Sequence, residues 1–218
     1  LSSGSWAQEL VNLPGLEHLT IVEIDPGYLE LIPKYPAVAS LMTNPKVTIV
    51  IDDGRRWMLR HPDRKFDVIV MNTTWHWRAH TSNLLSREFM HIAHDHLVPG
   101  GLDFFNTTSS VNVLHTAAVN SPYAFRFENF VAISDAPIPF DRDKYRELLT
   151  NAQVDGVKQL DLTREHDREV LDGLVSVVDA SPLQWASVES RDDLLKRTAG
   201  AREVTDDNMS CEWDPTDY

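Results

Sequence analysis

The sequence predicts a doubly wound α/β sheet, mostly parallel, with a helical C-terminal extension. Three observations carry that expectation. Short β-branched apolar runs alternate with helix-like stretches through the first half of the chain. Helix caps and glycine-containing turns separate them, and the composition suits a packed core: 218 residues, 42% hydrophobic and 24% charged, with 9 Gly and 12 Pro.

The strand-length runs are Leu19 to Ile24, Val47 to Ile51, Phe66 to Met71 and Leu102 to Phe105. Their length and composition read as buried parallel strands. Between them fall a helix from Ser5 to Leu13, a turn or two after Pro26, a short helix after Gly54 and a longer one from Ser86 to Leu97. In the last of these, Phe89, Ile92, Ala93 and Leu97 form an apolar stripe, opposite His91, His94 and Asp95. Ser86 is its cap, and Pro99-Gly100-Gly101 separates it from the next strand. Tyr123 to Phe127 and Phe130 to Ser134 flank Glu128-Asn129 as a hairpin closing the sheet edge. Beyond Asp135, Tyr145 to Thr150, Glu165 to Leu174 and Arg191 to Ala199 read as helices, with Ser190 and Asp193 as a capping pair and Gly200 as a stop. The expected division is a ligand-binding domain over 1–135 and an extension over 136–218, with residues 214–218 frayed. Tyr28, Leu31 and Tyr35 are expected in the core.

Charge and cysteine content narrow the function. Twenty Lys and Arg against 33 Asp and Glu give a net charge of −13. Such a field repels phosphate backbones and favours a small-molecule substrate over nucleic acid. Cys211 has no second cysteine to pair with, which suits a reducing, cytoplasmic setting. No apolar run is long enough to span a bilayer. His91, His94, His96 and Asp95 resemble a metal cluster, but helical spacing puts His91 and His94 on a solvated face, so no metal is expected. No Walker loop and no Gly-x-Ser-x-Gly elbow occurs.

In open parallel sheets ligands bind beyond the carboxyl ends of the strands. The chain opens with Leu1-Ser2-Ser3-Gly4-Ser5 leading into a helix, and Glu23 ends the next strand 19 positions after Gly4. That spacing suits a polar ligand at a helix start and an acid accepting from ribose hydroxyls, and equally an ordinary turn with a solvated glutamate. Asp52-Asp53-Gly54 offers a carboxylate to an exocyclic amine, or an N-cap. The third strand leads into Asn72-Thr73-Thr74-Trp75-His76-Trp77-Arg78-Ala79-His80, whose two tryptophans suit a pocket cover, and the fourth into Asn106-Thr107-Thr108, which also suits turn capping.

The stretch from Gly4 through Val22-Glu23-Ile24-Asp25-Pro26, Asp53-Gly54, Phe66-Asp67-Val68-Ile69-Val70 and Leu97-Val98-Pro99-Gly100-Gly101 resembles the spermidine synthase-like group of class I S-adenosylmethionine-dependent transferases. The resemblance covers about residues 1–135, and Thr205-Asp206-Asp207-Asn208 with Glu212 is similar to a C-terminal signature of some bacterial members. It implies a Rossmann-like fold of the methyltransferase type and S-adenosylmethionine or its decarboxylated form as cofactor. Gly4, Ser5, Glu23, Ile24, Asp53 and Gly54 would be its binding residues, Glu23 holding the ribose and Asp53 the adenine amine.

Two departures accompany the resemblance. The family's Asp-Ser-Ser-Asp loop is replaced by Asn72, Thr73, Thr74 and Trp75, so neither carboxylate is present and Asn72, Thr73 and His76 become the candidate catalytic residues. An amide takes no proton at neutral pH, whereas an imidazole suits a general base there, and His76 or His80 is the replacement expected, unless both simply pack on the tryptophans. Arg78 favours a ligand bearing a carboxylate. The resemblance also implies a central strand directly before the Gly4 loop; the first strand is apparently missing, and the chain is expected to be part of a longer protein. Three functions follow: aminopropyl transfer to a polyamine, methyl transfer to another acceptor, or nucleoside binding without catalysis. Homodimerisation is left open.

Overall fold

The structure is a computed structural model and describes residues 1–72, 81–176, 188–213 and 217. The chain forms two compact units, Leu1–Trp57 with Asp141–Val175, and Met58–Phe140 with Ser176–Tyr218.

In the first unit, α1 (Ser5–Val11), β1 (Leu19–Glu23), α2 (Gly27–Leu31), β2 (Val47–Ile51) and the opening of α3 (Gly54–Arg60) follow one another. β1 and β2 pair in parallel, Leu19 opposite Val47 through Glu23 opposite Ile51. Their core joins Ala7, Val11, Ile21, Ile32, Val38 and Leu41. Ile32 fills the place expected of Tyr28, Leu31 and Tyr35: it is 1% exposed, whereas Leu31 is 37% and Tyr35 56% exposed. The chain tightens into a 3-10 turn at Ile32, which rotates the helical stripe onto that residue. α6 (Arg142–Asn151), the hairpin β7 (Gln153–Val154) to β8 (Val157–Lys158) and α7 (Glu165–Ser176) follow from the later chain. The hairpin turns on Asp155 and Gly156, both at positive φ. The Asp155 carboxylate accepts from Gln8 Nε2 at 2.9 Å and Ser40 Oγ at 2.8 Å, tying that turn to α1.

The second unit is built on a five-stranded sheet of order β3-β4-β6-β5-β9. β3 (Phe66–Met71) and β4 (Leu97–Asn106) are parallel; β6 (Phe130–Ser134), β5 (Tyr123–Phe127) and β9 (Val188–Ser190) continue antiparallel. The four parallel runs therefore fall in two separate ladders, β1 with β2 and β3 with β4. Val68 of β3 is 51% exposed and Ile51 of β2 40%, so these strands are less buried than their composition predicts. The hairpin at Glu128-Asn129 forms as read, but it is not the edge. β9, only three residues long and too short to read from the sequence, adds to β5.

α4 (Arg87–Asp95) begins at Ser86, whose Oγ accepts from the Phe89 N–H. It stops two residues short of the expected end, because Leu97 already pairs with Phe66. Pro99-Gly100-Gly101 lies inside β4 rather than before it. The ladder jumps from Leu97 to Leu102 against Phe66 and Val68, so the three residues form an irregularity. Gly101 is required there, since a Cβ would stand 2.9 Å from the Val98 carbonyl and 3.1 Å from that of Asp67. α5 (Val111–Asn120), unread in the sequence, is capped by Ser110 and carries Val113, Leu114, Ala117 and Ala118 into the core with Phe105, Val131, Ile133 and Leu194. α8 (Arg191–Arg197) starts on the Ser190 and Asp193 pair and ends at Thr198, so Gly200 is not its stop. α9 (Ser210–Trp213) closes the described helices.

Asp217, expected in a frayed end, is 1% exposed. Its carboxylate accepts from Ser110 Oγ at 2.5 Å and the Asn112 N–H at 2.6 Å, capping α5 a second time. Thr205-Asp206-Asp207-Asn208 is likewise structural, for Asp206 accepts from Ser86 Oγ at 2.6 Å beside the start of α4. Glu189 of β9 is 2% exposed between Arg126 at 2.5 Å and Arg197 at 2.7 Å; burial raises its pKa, but the two guanidiniums outweigh that and hold it below the ordinary glutamate range.

Asp103 violates the pattern of its strand. It sits two residues before Phe105 and opposite Ile133, hence on the apolar face, with neither carboxylate oxygen hydrogen-bonded. Burial pushes its pKa from 3.8 up to about 8. The unfolded carboxyl ionises above pH 3.8 while the folded one stays protonated, so stability falls as pH rises from there to about 8 and then levels off. Asp103→Val should raise stability by about 1–3 kcal/mol at pH 7 and remove that slope in urea melts across this range. Asp103→Asn should remove the slope with less gain.

Candidate active site

The parallel register of β1 and β2 brings their carboxyl ends side by side, about 4.8 Å apart as neighbouring strands are. The ladder continues one residue beyond, where the Asp52 N–H donates to the Glu23 carbonyl at 3.0 Å. Glu23 and the Asp52-Asp53 pair therefore crown adjacent strands of one unit, and the loop before α1 reaches Glu23 through the Ser2 N–H.

Glu23 is 9% exposed. Its Oε1 accepts from the Asp25 N–H at 2.9 Å and its Oε2 from the Ser2 N–H at 3.0 Å. Burial works to raise its pKa, but the Asp25 and Ser2 backbone N–H groups work against it, and the carboxyl ionises below its ordinary 4.5. A carboxylate has about four acceptor directions, so the loop orients Glu23 through two of them and leaves two for further donors. Ile24, next along, is 70% exposed.

Gly4 is the N-cap of α1 at φ +84°. A Cβ there would lie 2.8 Å from Ile32 Cδ1 and 3.1 Å from Val38 Cβ, so glycine is needed for packing onto the core as well as for backbone shape. Ser5 is the exposed first residue of the helix. Asp53 performs the capping role that its position also allowed: Oδ1 accepts from the Arg56 N–H at 2.8 Å and its carbonyl from the Trp57 N–H. Its second oxygen is still an acceptor. Asp52 is engaged by Arg56, with Nε at 2.5 Å. Gly54 begins α3 with open space where a Cβ would stand. These strand ends therefore present two acceptors, one preoriented carboxylate and one half-used one, to hydroxyl or amine donors.

In the second unit, Asn72 follows β3 and is exposed; Thr73, Thr74, Trp75, His76, Trp77, Arg78 and His80 lie outside the described residues. Asn72 is joined to the polar residues after the fourth strand, which the sequence also allowed as turn caps. Asn106, at the end of β4, donates from Nδ2 to Asn72 Oδ1 at 3.0 Å. Asn106 Oδ1 accepts from the Thr108 N–H at 2.8 Å and from Asn129 Nδ2 at 3.2 Å. Thr108 and Ser109 both stand at positive φ, 55° and 66°, which is costly for side chains with a Cβ, and the Thr108 hydroxyl is buried without a partner. Asn129 entered the sequence reading only as a hairpin residue, because nothing local connects it to a position 57 residues earlier.

His91 and His94 are exposed, and His96 is buried between the Ile92 and Met58 carbonyls. Among the described residues no group of three or more His, Cys, Asp or Glu side chains could hold a metal. Cys211 is buried and its thiol is pushed up to about 12, first by burial and then by Asp217 and Glu212. Among the described residues no helix is long and apolar enough to cross a membrane.

A family model described as the spermine/spermidine synthase domain matches residues 2–125. In sequence the chain is similar to a polyamine aminopropyltransferase of Mycobacterium tuberculosis (strain CDC 1551 / Oshkosh), 34% identical over 103 residues, 45% of this chain and 20% of that protein. It is similar to a polyamine aminopropyltransferase of Agathobacter rectalis at 31% over 87 residues, 39% of this chain and 30% of that one. The matched segments thus span less than a third of either relative. Among solved structures it is similar to spermidine synthase from Thermotoga maritima, with TM-score 0.56 and 17% identity over 77% of this chain and 66% of that one. A spermidine synthase in complex with the transition state analogue AdoDATO gives TM-score 0.57 and 17% identity over 77% and 67%. These likenesses establish the Rossmann-like fold of the methyltransferase type.

Two measurements bear on the strand-end geometry. Gly4→Ala should destabilise the protein by about 1–3 kcal/mol in denaturant melts, through the clash with Ile32 and the positive φ. Glu23 stabilises the fold above pH 4.5 and loses that contribution as pH falls through its depressed pKa. Its side-chain carboxyl should therefore titrate below 4.5 by carbon NMR, and Glu23→Gln should flatten the acid limb of stability.

Proposed function

The chain belongs to the spermine/spermidine synthase family, and on that premise we propose that it is an aminopropyl transferase-like enzyme, with decarboxylated S-adenosylmethionine as donor and an amine as acceptor. The family match carries the reading, because it runs from residue 2 to 125 and so includes both acidic strand ends and Asn72. The geometry of Glu23 and Asp53 supports it.

In this reading Glu23, held ionised by the loop, accepts from the ribose hydroxyls, and the free oxygen of Asp53 accepts from the adenine amine. The donor supplies a sulfonium whose neighbouring carbon bonds to the amine nitrogen while the carbon–sulfur bond breaks, its electron pair staying on sulfur in the thioether product. Holding the amine in line with that bond is most of what the protein must do. An alkyl ammonium, with a pKa near lysine's ~10.4, must first lose a proton. Asn72 cannot take it, because an amide is not basic at neutral pH. His76 is the base proposed, on sequence alone, and Thr73 is a further polar group for the acceptor.

The deciding experiment combines calorimetric titration with decarboxylated S-adenosylmethionine, S-adenosylmethionine and methylthioadenosine with product analysis using amines such as putrescine. Preference for the decarboxylated donor, with methylthioadenosine released, is the expected outcome. Preference for S-adenosylmethionine with a methylated product would replace the reaction by methyl transfer. Tight binding with no turnover on any amine would make the chain a nucleoside-binding module, the reading favoured by the missing carboxylates. Glu23→Ala should weaken nucleoside binding by about 1–3 kcal/mol, the usual loss for a hydrogen bond to a charged group. Asp53→Asn should weaken it similarly with the α3 cap intact, whereas Asp53→Ala should also lower stability by about 1 kcal/mol.

A further inference from the structure

The orientation of the Asn72 amide follows from a donor whose identity is not in question. The Thr108 backbone N–H can only donate, so the Asn106 atom 2.8 Å from it is oxygen. Asn129 Nδ2 donates to that same oxygen. The other end of the Asn106 amide is therefore nitrogen, and this is the end that faces Asn72 at 3.0 Å. A nitrogen donor there requires the Asn72 oxygen to turn inward, which leaves the Asn72 NH₂ as the end available to a ligand. Reversing Asn106 would set an NH₂ against the Thr108 N–H, a donor against a donor.

The relay is anchored at both strand ends. The Asn129 carbonyl accepts from the Thr107 N–H at 2.8 Å and Thr107 Oγ1 at 2.9 Å, which clamps the β5–β6 turn onto the end of β4. Thr108 and Ser109 are held at positive φ in the same turn. Asn72 itself is exposed at the carboxyl end of β3, where ligands of such sheets bind.

We infer that Asn72 offers N–H donors to the acceptor substrate, oriented by Asn106 as a positioning residue, and that the acceptor bears a hydrogen-bond-accepting group, a carboxylate, on the same chain as its amine. This rests on the aminopropyl-transfer reading for the acceptor's location. A carboxylate at this position would welcome an ammonium. The Asn72 NH₂ does not, because a simple diamine, protonated at both ends near pH 7, brings only donors. The substrate class is thus an amino-acid-type amine rather than an unsubstituted polyamine.

Ornithine and putrescine test this directly, since ornithine is putrescine with one added carboxylate. Binding of each to the full chain saturated with methylthioadenosine is measured by calorimetry, with kcat/KM alongside. The native chain should bind ornithine about tenfold more tightly, the scale of one hydrogen bond to a charged group. Asn72→Asp should reverse the preference by placing a carboxylate there. Asn106→Asp should also reverse it, because its two oxygens still accept from Thr108 and Asn129 but force Asn72 to turn its nitrogen inward and its oxygen outward. A merely structural role for Asn106 would lower both affinities and leave their ratio alone. Equal or tighter binding of putrescine by the native chain, binding of neither amine, or a ratio unchanged in both variants would overturn the inference. An ornithine preference that persists with no turnover of either amine would sink the transfer reading and leave the inference standing.

Discussion

The turn that ends β4 constrains much of the second unit. Asn106 Oδ1 draws in the Thr108 N–H and the Asn129 amide together, and the chain accepts two consecutive positive-φ residues to make that possible. The same turn delivers Ser110 to the start of α5, where it and Asp217 satisfy N–H groups that the helix cannot satisfy itself. From α5 come Val113, Leu114, Ala117 and Ala118, central side chains of that unit's core. One short polar loop therefore ties core assembly to the orientation of an exposed amide at the candidate site. Strain at such a place persists only because the surrounding hydrogen bonds over-determine it.

The first unit solves a different problem. Its candidate ligands are acidic, and one of them is nearly buried, so the fold must keep that carboxylate charged. Backbone N–H groups from Ser2 and Asp25 do so more economically than a paired lysine would, because they add no mobile side chain and point in fixed directions. Asp53 shares its carboxylate between helix capping and the site, which couples α3 to the same strand ends. Asp103 is the opposite case: a carboxyl on an apolar face with no partner, kept neutral by burial, for which neither unit's geometry supplies a use.

Much of the fold was legible in the sequence where a local rule decides the outcome. Ser86 and Ser190 start helices because their hydroxyls reach an N–H three residues on, and the Glu128-Asn129 hairpin forms where two alternating runs meet a two-residue turn. The acidic strand ends were legible too, since each simply follows a β-branched run. What escaped was non-local. β9 is too short to show a period, and β4 absorbs Pro99-Gly100-Gly101 because Phe66 pairs with Leu97 before the turn is complete. Ile32 displaces the Tyr28, Leu31 and Tyr35 stripe once the helix tightens beneath it.

The candidate site divides along the same line. Residue order alone determined that carboxylates crown β1 and β2 and that amides and hydroxyls replace them after β3 and β4, because side-chain chemistry at a strand end is set by position in the chain. Only the tertiary structure decided which way the Asn72 amide faces. Its two ends are nearly the same shape and differ in one property, donating or accepting. That choice passes through Asn106 and Asn129 from a backbone N–H at Thr108, residues brought together by sheet pairing and by nothing adjacent in sequence.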